Sequence, residues 1–284
     1  MNLRFYDAHN HLQDERFGGR QAELLLVAAR EGVAGMVVNG SCEADWPHVL
    51  ALTRPARPAN LRIIPSFGYH PWYLHERSPD WQKNLAQFLD QVPSTVGEIG
   101  LDRWKPGLDY AGQEEVFAAQ LQLAAERNLP MSIHCLQAWG RMFDLLKSGP
   151  RPACGFLLHS YGGPKEMVKP FADLGAYFSL PGYYAHERKE RQRETFRHVP
   201  PDRLLIETDA PDQMLPEVRS AESGNKVAKV YSLSDSATGK ALNHPANLRA
   251  VYEFAAELFG ESMETLSERV EANFLRLFGN VRPG

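Results

Sequence analysis

Short apolar runs alternate with longer amphipathic segments along most of the chain. In the segments 20–31, 81–91, 113–127 and 187–198, apolar residues recur at spacings of three and four, which predicts helices with one buried face. The shorter runs are rich in β-branched and aromatic residues, as is typical of buried strands. There are eight of these runs: LRFYDAH, AGMVVNG, LRIIPSFGYH, STVGEIGLD, MSIHC, CGFLLHS, AYFSL and LLIETDAP.

Strands that alternate with helices predict a parallel sheet joined by helical crossovers. Eight such units in 284 residues predict an α/β fold, a closed (β/α)8 TIM barrel, with the active site at the C-terminal ends of the strands. The competing open doubly wound sheet usually has a glycine-rich turn after its first strand, which YDAHNHLQD lacks. We expect one domain over residues 1–284, a polar loop over 212–244, and closing helices near 247–259 and 264–278.

Composition narrows the class of protein without identifying it. Hydrophobic residues make up 43% and charged residues 23%, as in ordinary globular proteins, and no long apolar run predicts a membrane span. We see no secretory signal and no Cys-x-x-Cys pair among three cysteines, so a reducing cytoplasm is expected. The net charge of −4 argues against binding nucleic acid by bulk charge, but not against gripping phosphate through metal ions. Nothing indicates an obligate protein partner.

Imidazole and carboxylate side chains gather at the predicted strand ends, where a barrel brings them to one mouth. Both groups are natural ligands of zinc, manganese and similar divalent ions. An open zinc site needs three protein ligands, so six candidates favour two ions about 3.5–4 Å apart. A carboxylate must bridge the two ions because only a carboxylate offers two oxygens, and Glu98, on the central strand four, is best placed to do so. The candidate ligands are His9, His11, Glu98, His134, His159 and Asp209.

Each candidate also has a simpler interpretation. His134 could be a core histidine bonded to a carbonyl, His159 a strand-end residue, and Asp209 a turn or cap residue. Glu98 is the hardest to explain in this way, since an acid inside an apolar strand is costly unless it is paired or bound to a cation. Asp102, four residues after Glu98, could orient a ligand histidine or cap a turn, and both alternatives stay open.

Six motifs together resemble the series found in TatD-like metal-dependent deoxyribonucleases, a branch of the amidohydrolase superfamily. They are DAHNH, GYHPW, GEIGLD, IHC, LHSYGG and ETDAP, in that order, and the resemblance extends from about residue 4 to residue 278. The resemblance implies a two-metal nuclease that uses Mg, Mn or Zn, with DNA as its expected substrate. It also implies the ligand sets: one ion held by His9, His11, Glu98 and Asp209, and the other by Glu98, His134 and His159.

Three departures from the family pattern lie at the mouth and spare every ligand. Leu136 stands where the family typically has arginine, SYGG replaces a more usual turn after His159, and Asp212 takes a position that is often aromatic. Metal-dependent hydrolysis remains the prediction, whereas the substrate is left open by these changes.

The expected chemistry is phosphodiester hydrolysis by metal-activated water. Glu98 would bridge the ions, Asp209 would accept the proton of the attacking water, and His70 would donate to a phosphate oxygen. Two alternatives remain: an esterase, amidohydrolase or aminoacyl-tRNA deacylase on the same frame, or a non-catalytic binding protein, which would be expected to lack a ligand. The charged run 186–198 could grip a nucleic-acid backbone, but a solvated helix face is the favoured interpretation. Trp72, Tyr73 and Trp104 could stack on a base or pack under a loop.

Overall fold

The computed structural model describes residues 3–54, 58, 60–216 and 230–281. Eight parallel strands form one sheet in sequence order, each hydrogen-bonded to the next. They are β1 Phe5–Asn10, β2 Val33–Asn39, β3 Arg62–Phe67, β4 Thr95–Asp102, β5 Met131–Leu136, β6 Phe156–Leu158, β7 Ala176–Pro181 and β8 Leu204–Glu207.

Backbone hydrogen bonds at the end of β8 join the last strand to the first. The amide of Asp209 donates to the carbonyl of His9 at 3.0 Å, and the amide of His11 donates to Ala210 at 2.7 Å. Beneath them the buried Asp7 carboxylate accepts hydrogen bonds from the amide and the hydroxyl of Thr208, at 2.9 and 2.6 Å. These contacts close the sheet, which confirms the predicted (β/α)8 barrel.

Within the described residues, seven helices connect consecutive strands and two follow β8. Their bounds are α1 Gln21–Arg30, α2 Trp46–Ala51, α3 Trp81–Gln91, α4 Tyr110–Arg127, α5 Trp139–Ser148, α6 Val168–Asp173, α7 Glu190–Phe196, α8 Leu248–Phe259 and α9 Met263–Phe278. Among the described helices, none has the length and apolar character that crossing a membrane requires.

Two helices differ from the sequence prediction at their starts. Helix α4 begins at Tyr110, three residues before the predicted start, because Asp109 caps it by accepting a hydrogen bond from the Gly112 amide at 3.0 Å. In the predicted helix 187–198, a 3-10 turn at Glu187–Lys189 precedes the shorter α7.

The segment 212–244 contains secondary structure that its polar composition did not predict. A short antiparallel hairpin pairs β9 Ser232–Ser234 with β10 Ala241–Asn243. Strands of three residues are too short to show a clear alternation, so the pattern gives no strand signal. Residues 217–229 of the predicted loop lie outside the described residues.

The closing helices α8 and α9 support the β1–β8 side of the barrel. The buried hydroxyl of Tyr252 accepts a hydrogen bond from the Tyr6 amide at 3.0 Å and donates to the Tyr6 carbonyl at 3.1 Å. The Asn273 amide group donates to the Leu204 carbonyl at 2.9 Å. These contacts fix the two strands that lead to His9, His11 and Asp209.

Candidate metal centre

The six predicted ligands meet at the carboxyl ends of the strands, as the barrel geometry requires. They come from β1 and the residues just after it, from β4 and β5, and from the residues that follow β6 and β8. All are buried except His11, whose side chain is 16% exposed.

Glu98 lies between two groups of histidines, with one carboxylate oxygen facing each. Its Oε2 is 3.0 Å from His11 Nε2 and 3.3 Å from His9 Nε2. Its Oε1 is 2.9 Å from His159 Nε2 and 3.0 Å from His134 Nδ1. The side chain therefore presents one oxygen to each half of the centre, which is the placement that a bridging carboxylate needs.

Asp209 completes the half of the centre that is built on β1. Its Oδ1 lies 3.6 Å from His9 Nε2 and 3.7 Å from His11 Nε2. Its other oxygen, Oδ2, accepts a hydrogen bond from the side chain of Gln213 at 2.7 Å. Ligand atoms of His9, His11 and Asp209 all lie within 4.8 Å of one another, close enough to hold one ion.

Partners on the outer ring nitrogens orient three of the histidines. His11 Nδ1 donates to the Asn39 carbonyl at 2.8 Å, and His134 Nε2 donates to the Asp102 carboxylate at 3.0 Å. His9 Nδ1 is 2.7 Å from the Ser132 hydroxyl. Because a carbonyl or carboxylate can only accept, His11 and His134 keep the inward nitrogen free as a metal ligand.

Asp102 serves both roles that the sequence left open. Its Oδ1 accepts the backbone amides of Trp104 and Lys105 at 2.7 and 2.9 Å, which caps the turn after β4. Its Oδ2 accepts from His134 Nε2 and from the indole of Trp72 at 2.7 Å. Burial alone would raise the pKa of Asp102, but these hydrogen bonds outweigh it and hold the pKa well below its usual range.

Charges in the centre are strongly coupled. Burial, with repulsion from His159, lowers the pKa of His9 to about 3. Burial also acts to lower the pKa of His11, but hydrogen bonding and attraction to Glu98, with a contribution from Asp209, outweigh it and raise that pKa to about 9. A proton on His11 thus partly balances the buried carboxylates, and a divalent cation must displace it to bind.

Glu207, at the end of β8, has no role in the sequence prediction. Its fully buried carboxylate accepts hydrogen bonds from the hydroxyls of Ser160 and Ser179 and lies 3.7 Å from His159 Nδ1. Gln213, which holds Asp209, was also missed. The only signal for Glu207 in the sequence is that it lies two positions before Asp209, a candidate ligand.

A groove of about 680 Å³ leads from the centre to the surface. His11, His70 and Glu98 lie at its base. At its rim the guanidinium of Arg16 contacts both Asp14 and Asp212, each at 2.8 Å. The positive charge of Arg16 is therefore neutralised by these two carboxylates.

A family model described as TatD related DNase matches residues 6–279. The chain belongs to this family. The resemblance in the sequence motifs is thereby confirmed, and the chain is a metal-dependent hydrolase of the TatD type.

Relatives and solved structures support the assignment. The chain is 31% identical to an uncharacterized metal-dependent hydrolase of Haemophilus influenzae, with 90% of this chain and all of that protein covered. It is 28% identical to the 3'-5' ssDNA/RNA exonuclease TatD of Pantoea vagans, covering 96% and 98% of the two chains. The crystal structure of the TatD homologue YjjV of Escherichia coli has a TM-score of 0.83 at 25% identity and covers 98% of this chain and 99% of its own.

Proposed function

We propose that this TatD-family protein is a nuclease that hydrolyses phosphodiester bonds in DNA with two divalent ions. The observation that carries the proposal is the position of Glu98, whose two oxygens face two separate pairs of histidine nitrogens. One half-site would consist of His9, His11, Asp209 and Glu98 Oε2. The other would consist of His134, His159 and Glu98 Oε1.

The donor set fits two divalent cations. Imidazole and carboxylate ligands suit zinc and manganese, and carboxylates also suit magnesium. Glu98 and Asp209 are buried carboxylates, and burial together with repulsion from Glu207 and Glu98 raises the pKa of Asp209 to about 7. Cations at the half-sites would relieve this repulsion, which supports a centre built for positive charge.

Bound divalent ions lower the pKa of water toward neutrality and neutralise charge on the phosphate. The Asp209 carboxylate would accept the proton of the attacking water, while Gln213 holds it in place through Oδ2. His70 Nδ1 accepts the amide hydrogen of Trp72 at 3.2 Å, so Nε2 carries the ring proton. Burial lowers the pKa of His70 to about 4, which leaves a neutral ring whose N–H would donate to a phosphate oxygen.

A nucleic-acid substrate is supported by relatives rather than by the charge of the groove. Several curated relatives, including those of Pantoea vagans and Salmonella typhimurium, are named 3'-5' ssDNA/RNA exonuclease. Leu136, at the end of β5, offers no charge to a phosphate. Substrate binding would therefore depend on the metal ions more than on cations of the groove.

The test is hydrolysis by protein that is first stripped with a chelator and then reloaded separately with Mg, Mn or Zn. Substrates are single-stranded DNA labelled at either end, RNA, and carboxylic ester or aminoacyl-ester compounds. We expect metal-dependent release of nucleotides from DNA, and the position of the surviving label identifies the end that is attacked.

Hydrolysis of esters with no cleavage of either nucleic acid would contradict the nuclease proposal and favour the esterase alternative. Cleavage that persists at full rate in the chelated protein would contradict the metal mechanism.

A further inference from the structure

Two exposed aromatic side chains lie between the end of β4 and the first residue of α4. Among the described residues, Trp104 and Tyr110 are the aromatic side chains that the fold leaves exposed, at 60% and 41%. Single exposed apolar residues are common on protein surfaces. Two exposed rings within seven residues, beside a catalytic mouth, instead mark a candidate binding surface.

Positive side chains accompany these rings. The guanidinium of Arg103 lies 5.8 Å from the centre of the Tyr110 ring, and Lys105 Nζ lies 4.5 Å from the Trp72 ring. Glu114 is the acid that pairs with Arg103, at 3.2 Å, and it is shared with Arg141 at 2.7 Å. One carboxylate thus faces two guanidinium groups, so Glu114 cannot neutralise both.

The segment between β4 and α4 is anchored to the metal centre through its backbone. The amides of Trp104 and Lys105 donate to Asp102 Oδ1, and the other oxygen of Asp102 holds His134. Trp104 and Lys105 therefore follow Asp102, the residue that orients the candidate ligand His134, by two and three positions.

The rim of the groove that follows β1, β2 and β8 is acidic. The groove there is lined by Asp14, Glu15, Asp45 and Asp212, and its cation Arg16 is already paired with two of them. A phosphate backbone would be repelled from this rim and attracted to the surface that carries Arg103 and Lys105. The charge asymmetry gives the direction in which a polyanionic strand would leave the centre.

We propose that Arg103, Trp104, Lys105 and Tyr110 form a platform that binds single-stranded nucleic acid next to the scissile bond. Trp104 stacks on an unpaired base, and Lys105 and Arg103 attract the adjacent phosphates. A single strand is the occupant because stacking needs a free base face, which a duplex keeps buried between neighbouring pairs. This inference rests on the proposed nuclease function. It adds that the base and the phosphates next to the scissile bond are held outside the centre.

The experiment compares metal-loaded wild type with Trp104→Ala, Trp104→Phe and Lys105→Gln. Exposed positions near the far ends of helices provide controls: Leu275→Ala, 41% exposed, in the last turn of α9, and Lys147→Gln, in the last turn of α5. One readout is kcat/KM for a single-stranded oligonucleotide divided by kcat/KM for bis(4-nitrophenyl) phosphate. The other is the Kd of a phosphorothioate strand that resists hydrolysis, measured by fluorescence anisotropy at several salt concentrations.

We expect Trp104→Ala to lower the kcat/KM ratio and to raise Kd by about tenfold, as loss of one stacked base would. Trp104→Phe should recover most of the loss, because it retains an aromatic face. Lys105→Gln should reduce the slope of log Kd against log salt by about 0.7, the value for one phosphate contact on a single strand. Both controls should match wild type.

Trp104→Ala values within twofold of those of wild type, in both readouts, would overturn the platform. Failure of the wild type to cleave any phosphodiester would refute the proposed function instead, and the Kd comparison would still decide whether the platform binds a strand.

Discussion

His134 and Asp102 form a fixed pair behind the candidate metal centre. The Nε2–H of His134 donates to Asp102 Oδ2 at 3.0 Å, while Nδ1 of the same ring lies 3.0 Å from Glu98. Asp102 is itself immobilised by backbone amides of the turn after β4. The carboxylate can therefore fix the tautomer and the orientation of the His134 ring.

Asp102→Asn should weaken metal retention more than it weakens the fold. The asparagine oxygen can still accept the turn amides, but its NH₂ group would face the N–H of His134 and the indole N–H of Trp72. We expect metal affinity to fall about 10–100-fold, measured by competition with a chelator. Trp72→Phe is the matched control, since it removes a donor to the same oxygen and leaves the His134 hydrogen bond intact. Equal losses in the two variants would contradict the positioning role.

The barrel and the candidate ligands could be predicted because each leaves a local signal. Buried parallel strands leave continuous apolar runs, and a carboxylate such as Glu98 within one of them is conspicuous. Barrel topology then places the strand ends together, so their convergence needs no knowledge of distances. The same logic identified His159 and Asp209 from their positions after β6 and β8.

The surrounding contacts could not be predicted because they join side chains that are distant in sequence. Ser160 and Ser179 reach Glu207 from two different strand ends, and Arg16 meets Asp212 across 196 positions. Serine and arginine at such positions also occur on any polar surface, so only the structure distinguishes them. The same holds for Asp102, whose two roles are visible only when both of its oxygens are placed.

Asp212→Asn should improve binding of a nucleic-acid substrate. The change removes one of the two carboxylates that neutralise Arg16 and leaves this cation partly free at the groove rim. Exposed ion pairs of this kind are worth up to about 1 kcal/mol, so we expect KM for single-stranded DNA to fall by up to about fivefold. Asp202→Asn, another exposed acid at 62%, is the control. A KM that rises or stays unchanged would argue against repulsion at this rim.

His244, which is not one of the candidate ligands, should make stability depend on pH between about 6.5 and about 4. Its buried ring accepts the Ala246 amide at 2.9 Å, and burial, with repulsion from Arg20, lowers its pKa from 6.5 to about 4. The folded protein therefore binds fewer protons than the unfolded chain between these values. Its stabilising contribution is complete above about pH 6.5 and is lost as the pH falls toward 4.

His244→Asn keeps a capping oxygen but cannot titrate. In chelated protein, the melting temperature of this variant should fall less between about pH 7 and about pH 4.5 than that of wild type. Both proteins retain every histidine of the metal centre, so the difference isolates His244. If the melting temperatures of the two proteins fall by the same amount, the pKa of His244 does not differ between the folded and unfolded chains.

Glu98→Gln tests the bridge most directly, because it removes a negative charge while nearly preserving shape. Both half-sites would lose their shared anion, so cations in them would repel each other more strongly. We expect at least one ion to be lost per chain, by elemental analysis, and hydrolysis to fall about a thousandfold or more. The fold should survive because the centre lies at the mouth, apart from the layers that pack the barrel interior. Added metal should then raise the melting temperature less than it does in wild type.

Glu43→Gln is the control, since this half-buried carboxylate accepts hydrogen bonds from Tyr69 and Ser78 away from the centre. Full metal content and full activity in Glu98→Gln would show that Glu98 does not bridge the two half-sites.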